Sequence, residues 1–266
     1  IEEGETKKGA MVSKQDIDAE FDKIAKKFNE DENNFTDEKR KKALKYVNEL
    51  EKKNIIRAIG GNTSIRNDSL NVIVSSDSDY DEKKKQLREG NFIESILDLD
   101  EGMSYSEIAK VGVTHANKAR DEAKKEFPGS DYTNTMLCDA FRHFSWNFIS
   151  TKDVGNYKTR TAAINHEWGM KLRQPMLDYF DSQYKYYVGK GYGNAATLAL
   201  ADTVSYIPVA KYYAICACEG NYDFFKSFFD NGNIMDLHNN CWGRAYAGNY
   251  LTLTYRTAFY KAKDNN

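Results

Sequence analysis

DAFRHFSWNF (residues 139–148) sets Asp139, His143 and Asn147 four residues apart, twice in succession. Residues i and i+4 share one face of an α-helix, so these three groups predict a polar stripe along a helix. Arg142 and Trp146 flank that face. The same step recurs far away in MDLHNNCWGRAYAG (235–248), where Asp236, Asn240 and Arg244 again stand four apart. Small and apolar residues surround both stripes, as in helices that pack. Polar groups are costly to bury unless they are paired. The two stripes, together with INHEWG (164–169) and its adjacent His166 and Glu167, therefore predict helices that meet through mutually satisfied groups.

Working outward, the chain reads as mainly α. Ser104 and Glu107 make a capping-box pattern, and a helix is expected from there through Ile108, Val111, His115, Ala119 and Ala123 to Phe127. Pro128-Gly129 ends it. The next helix is capped by Asp131 or Thr133 and reaches about Ser150. TKDVGNY (151–157) breaks the chain before a helix from about Thr159 to Phe180. The Ala/Tyr/Phe-rich stretch 193–230 reads as two or three helices. After DNGN (230–233), the helix carrying the second stripe is expected to continue through Leu251 and Tyr255. Residues 104–266 are read as one helical domain carrying the polar motifs.

Residues 1–103 read as an accessory, polar helical region. Ile17, Phe21, Ile24 and Phe28 recur at helical spacing, and a second pattern runs from Thr36 through Leu44, Val47 and Leu50. The chain has at most one short β-hairpin, at 63–76 around Asn67-Asp68. SSDSDYDEKKK (75–85) reads as a loop or linker.

Composition narrows the function classes. Of 266 residues 41% are hydrophobic, enough for a core, and a net charge of −2 lacks the basic bias of a nucleic-acid-binding protein. No run approaches the ~18 apolar residues of a membrane helix. The four cysteines form no CxxC pair. Cys138 and Cys241 fall inside apolar helical patterns, where a buried thiol is the simpler reading, and spacing leaves the pairing of all four cysteines undecided.

The three motifs, DAFRHFSWN, NHEWG and MDLHNNCWGR, resemble a bacterial helical domain family of unassigned function found in secreted and polymorphic-toxin-like proteins. The resemblance spans roughly residues 104–250. It implies a bacterial, exported protein and brings no settled activity. The chain departs from the family pattern at Asn165, near where an acid is expected, and in the long separation between His166 and the third motif.

The chemistry carried by these residues is that of a hydrolase-like site. His143, His166, Glu167, Asp236 and His238 are the candidate catalytic groups. Arg142, Asn239, Asn240 and Arg244 are the candidates for holding an anionic or carbonyl group of a substrate. His238 lies about 160° around the helix from Asn240, so joining those two in one site requires the helix to start only near residue 238. The sequence leaves the cofactor open: a divalent metal, zinc or calcium, is one candidate, and metal-free acid–base work by a histidine oriented by an acid on a neighbouring helix is the other. His143, His166 and Asp236 or His238 offer three zinc ligands with a fourth position left for water. NHEWG lacks the second histidine of the His-Glu-x-x-His pattern. The calcium alternative follows a loose similarity to the helix pair of secreted phospholipases A2, from which Phe144 departs where that pattern has Asp. The rival reading is a non-enzymatic interaction or structural protein in which the same residues form a buried hydrogen-bond clamp. His115, on the apolar stripe of its helix, reads as a core or pocket-edge histidine.

Overall fold

The structure, a computed structural model, describes residues 77–89, 91–130, 136–218 and 228–264. The protein is mainly α, and the described residues include no strand. The helices are α1 (Asp77–Arg88), α2 (Phe92–Asp100), α3 (Tyr105–Ala109), a π-helical turn (Lys110–His115), α4 (Ala116–Glu126), α5 (Met136–Val154), α6 (Asn156–Gly189), α7 (Ala195–Cys218), α8 (Asn231–Asn249) and α9 (Tyr255–Asp264). None of them is long and apolar enough to cross a membrane. The helices and the hairpin expected within residues 1–76 lie outside the described residues.

The described residues fall into two compact units. One holds residues 106–167 with 228–264, the other 77–105 with 168–218. The segment 104–266, expected as one domain, contributes to both units; within the second, α7 packs on α2 and α1 and on the C-terminal half of α6, through Tyr179 against Tyr206 and Tyr187 to Asp202.

In the first unit α5 and α8 share the most extensive helix contact among the described residues, and α4 and α9 flank them. Cys138, Phe141, Phe144 and Phe148 of α5 join Trp242, Tyr246 and Ala247 of α8 and Ala258, Phe259 and Ala262 of α9 in one buried cluster. Phe259 packs edge-on against both Phe141 and Phe144, at ring-centroid distances of 5.0 and 5.5 Å. That geometry suits the quadrupoles of aromatic rings. Trp146, the large side chain beside the polar stripe, donates its indole N–H to the Val111 carbonyl at 2.8 Å. The carbonyl belongs to the π-helical turn, where regular i→i−4 pairing is interrupted.

Chain breaks sit where the backbone requires them. Gly155 alone separates α5 from α6, at φ +87°, a region that glycine enters without steric penalty. Asp230 caps α8 by accepting from the Asn233 N–H at 3.1 Å. The α8 helix stops at Asn249, which corrects the expected continuation through Leu251 and Tyr255. Tyr250 is extended, and the Thr254 hydroxyl accepts the Thr257 N–H at 3.2 Å to begin a separate helix.

In the second unit, α2 is buried along most of its length, from Phe92 to Asp98. Lys211 of α7, 1% exposed, is neutralised by Glu101 at 2.7 Å. A second correction concerns residues 77–85, expected as a loop and found within α1. Tyr80 stacks on Phe180 and Tyr184 and donates to Asp181, Lys84 adds an ion pair to that aspartate at 2.6 Å, and Leu87 is fully buried. Tyr80, Lys84 and Leu87, about one turn apart, are the anchors of α1, and Asp81, Glu82, Lys85 and Arg88 are exposed.

Candidate functional site

Gly243 sets how closely α5 and α8 approach. A Cβ there would stand 2.3 Å from the Phe144 carbonyl oxygen and 3.1 Å from the Asn147 Cβ, so only glycine permits this contact. With the backbones this close, the two polar stripes face each other in register. His143 pairs with Asn240 and Asn147 with Arg244, each across a sequence separation of 97. Asp139 and Asp236 stand at the same separation one turn earlier. Because the pairs ascend together, the helices run parallel, and the stripes form a ladder of three rungs.

The third rung orients the second. Arg244 has only donors and gives one to Asn147 Oδ1 at 2.8 Å. The Asn147 amide nitrogen therefore faces Asn240 and donates to its Oδ1 at 2.6 Å. That oxygen can only accept, so His143 Nδ1, 3.1 Å away, carries the imidazole proton. The unshared pair is then on Nε2, where it accepts from Arg142 Nη2 at 2.7 Å. Burial, Arg142 and His166 hold the His143 imidazolium well below its usual range. The ring is neutral at physiological pH.

The first rung is different in kind. His143 Nε2 lies 3.3 Å from Asp236 Oδ1 and 3.8 Å from Asp139 Oδ1. Burial, then the charges of Glu167 and Asp139, push the Asp236 carboxyl up to about 8. Buried Asp236 Oδ1 accepts no hydrogen bond. The short distance to His143 is therefore no ion pair at neutral pH, since the imidazole holds no proton on that side. On the solvent side Arg142 pairs with Asp139 at 2.6 Å. The ladder thus grades from fully buried Asn147 and Asn240 to Asp139 and Arg142, whose side chains are 17% and 22% exposed.

Of the expected catalytic residues, His143 and Asp236 meet directly. His166 lies alongside, its ring centroid 6.3 Å from His143 and 5.6 Å from Trp146. Fully buried Glu167 accepts from Asn233 Nδ2 at 2.7 Å and acts on Asp236 through its charge. His238 is a correction. The α8 helix starts at Asn231, so His238 points away from the ladder and accepts the Trp242 indole N–H at 3.3 Å. Burial lowers its pKa. Among the expected substrate-holding residues, Arg142, Asn240 and Arg244 belong to the ladder. Asn239 is half-buried on the neighbouring face, with its Nδ2 lacking a hydrogen-bond partner.

Asp139, Asn147, Asn233 and Gly243 complete the site and are absent from the expected residue set. The first two stood on the recognised stripe, so their spacing was the available signal. Cys138 is buried and Cys241 half-buried, and neither forms a disulfide, while the side chains of Cys216 and Cys218 lie outside the described residues.

His115 forms a second polar arrangement. Its Nδ1 is 3.1 Å from Ser150 Oγ and its Nε2 is 3.1 Å from Asp153 Oδ2. The order imitates a Ser-His-Asp triad, but burial is reversed. A nucleophilic serine must be reachable and its acid sheltered. Here Ser150 is fully buried, whereas Asp153 is exposed and shared with Lys110. This trio ties the π-helical turn to α5.

Fold and site together define an all-α protein with a histidine–carboxylate ladder between two parallel helices. Set against protein-family models, curated proteins and solved structures, the chain matches none of them.

Proposed function

We propose that the ladder is the reacting centre of a hydrolase-like domain. His143 presents its Nε2 lone pair, Asp139 supplies negative charge, Asp236 holds a proton near neutral pH, and Arg142 meets the substrate at the solvent side. The observation that carries this reading is the relay from Arg244 through Asn147 and Asn240. It fixes one tautomer of His143 and turns the Nε2 lone pair toward Arg142 and the carboxylate end. Pre-oriented imidazole of this kind is what water activation requires. Export from a bacterial cell belongs to the same proposal through the motif resemblance.

The second and third rungs alone favour the clamp reading, because His143, Asn147, Asn240 and Arg244 pair with one another. The first rung argues against it. Two carboxyl groups facing each other beside a third acid cost stability, and unfavourable arrangements of this kind persist where function requires them.

A panel of chromogenic esters, phosphomonoesters, phosphodiesters, glycosides and peptides tests the proposal. Turnover in one class should fall at least about 100-fold in His143→Gln and Asp236→Asn and survive in His238→Gln. Absence of turnover in every class, or turnover indifferent to both ladder substitutions, would return the residues to a structural role.

A further inference from the structure

We propose that Asp139, His143 and Asp236 bind a divalent cation of the zinc class. The inference rests on the hydrolase-like reading for its chemistry, while its geometry stands apart from that reading. One ligand atom from each residue lies within 4.8 Å of the others. The two edges from His143 Nε2, 3.3 Å to Asp236 and 3.8 Å to Asp139, approach the spacing of tetrahedral zinc ligands. Bonds of about 2.0–2.2 Å put such ligands roughly 3.3–3.6 Å apart. Small rotations of the carboxylates would close the set.

The electronic arrangement points the same way. Asp236 is 9% exposed, and its buried Oδ1 accepts no hydrogen bond. It faces an imidazole nitrogen whose outward atom holds a lone pair rather than a proton. A divalent cation between these two atoms, 3.3 Å apart, would take the place of a carboxyl proton, since metal binding releases protons from its ligands. The Nδ1–H of His143, held by Asn240 Oδ1 at 3.1 Å, is the outer-shell bond by which metal-binding histidines are oriented.

Arg142 supplies positive charge in this structure. Its Nη2 lies between Asp139 Oδ1 at 2.6 Å and His143 Nε2 at 2.7 Å, engaging two of the three ligand atoms. The side chain is partly exposed and sits on the same helix as both partners, so it can leave by rotamer change alone. The guanidinium and the metal therefore compete for one place.

The ligand types select the metal. Calcium takes six to eight oxygens, whereas one imidazole nitrogen with two carboxylate oxygens, and a fourth position for water, suits zinc. A zinc ion so held lowers the pKa of its bound water.

The test uses the full chain, stripped with EDTA and dialysed, titrated with zinc chloride by calorimetry and followed by thermal melting. The expected result is one zinc per chain and a rise in midpoint of at least about 5 °C at saturating zinc. Asp139→Asn and Asp236→Asn, each checked for helical circular dichroism, should bind at least about 100-fold more weakly, beyond the loss typical of outer-shell changes. Arg142→Gln should bind more tightly, because the competitor is gone. No zinc-dependent heat, binding unchanged in both carboxylate variants, stabilisation by calcium alone, or weaker binding by Arg142→Gln would each overturn the proposal. Hydrolysis that persists in EDTA would overturn the metal and leave the hydrolase reading standing. One bound zinc without turnover in any substrate class would support the metal site and sink the hydrolase reading.

Discussion

Replacing Asp236 with asparagine should stabilise the protein, and by an amount that grows with pH. The carboxyl titrates near 8 in the folded chain, against 3.8 when unfolded. Below about pH 4 it is protonated in both states and the substitution removes no charge. Between 4 and 8 the folded chain retains a proton that the unfolded chain releases, so stability falls as pH rises. Above 8 the buried carboxylate, beside Glu167 and Asp139, imposes its full penalty. About four units at 1.4 kcal/mol each is roughly 5–6 kcal/mol. The side chain is 12% exposed, and water entry with local relaxation reduces that to about 2 kcal/mol. Asparagine has nearly the same shape and no such titration. In urea melts with EDTA present, the variant should match wild type within about 1 kcal/mol at pH 5 and exceed it by about 2 kcal/mol at pH 8.5. Parallel pH profiles, or a variant less stable than wild type at pH 8.5, would refute the electrostatic account of the first rung.

Three further outcomes check the rest of the ladder. Gly243→Ala should lose at least about 2 kcal/mol in the same melts, since its Cβ meets a backbone oxygen that cannot rotate away; a change under about 0.5 kcal/mol would mean the helices are further apart. Nitrogen-15 chemical shifts of His143 at pH 7 should report a neutral ring protonated on Nδ1, and an Nε2–H ring would break the relay from Arg244. His238→Gln should change stability by less than about 1 kcal/mol and leave the His143 shifts in place, because its partner is Trp242.

Periodicity carried much of this site into view before any coordinates. Two stripes with a step of four could only be helical faces that need a polar partner, and each proved to be the other's. What periodicity lacks is register. That information lies in Gly243, which within a helix reads as a weakness in propensity until the Phe144 carbonyl is seen beneath it. His238 illustrates the same limit in reverse. Its residue type suggested chemistry, while its angle around the helix, two positions from Asn240, already turned it aside. Helix α1 was hidden for a different reason, since its charged surface drowned the three anchors Tyr80, Lys84 and Leu87 that hold it. Similarly, the two-unit division follows from α7 lying on α2, a long-range contact that no local pattern announces.

The parallel course of α5 and α8 has a consequence for how the pair can vary. Every rung depends on the same register, so substitutions can alter the rungs one at a time, but insertions cannot. One residue added between Asp236 and Asn240, or between His143 and Asn147, turns everything beyond it by about 100° and carries the following groups to a different face. Slippage by a whole turn is no escape, because it sets Asp139 against Asn240 and His143 against Arg244, leaving the imidazole without its acceptor. Length changes are therefore confined to the flanks of 139–147 and 236–244, where the helix ends and the loops can absorb them.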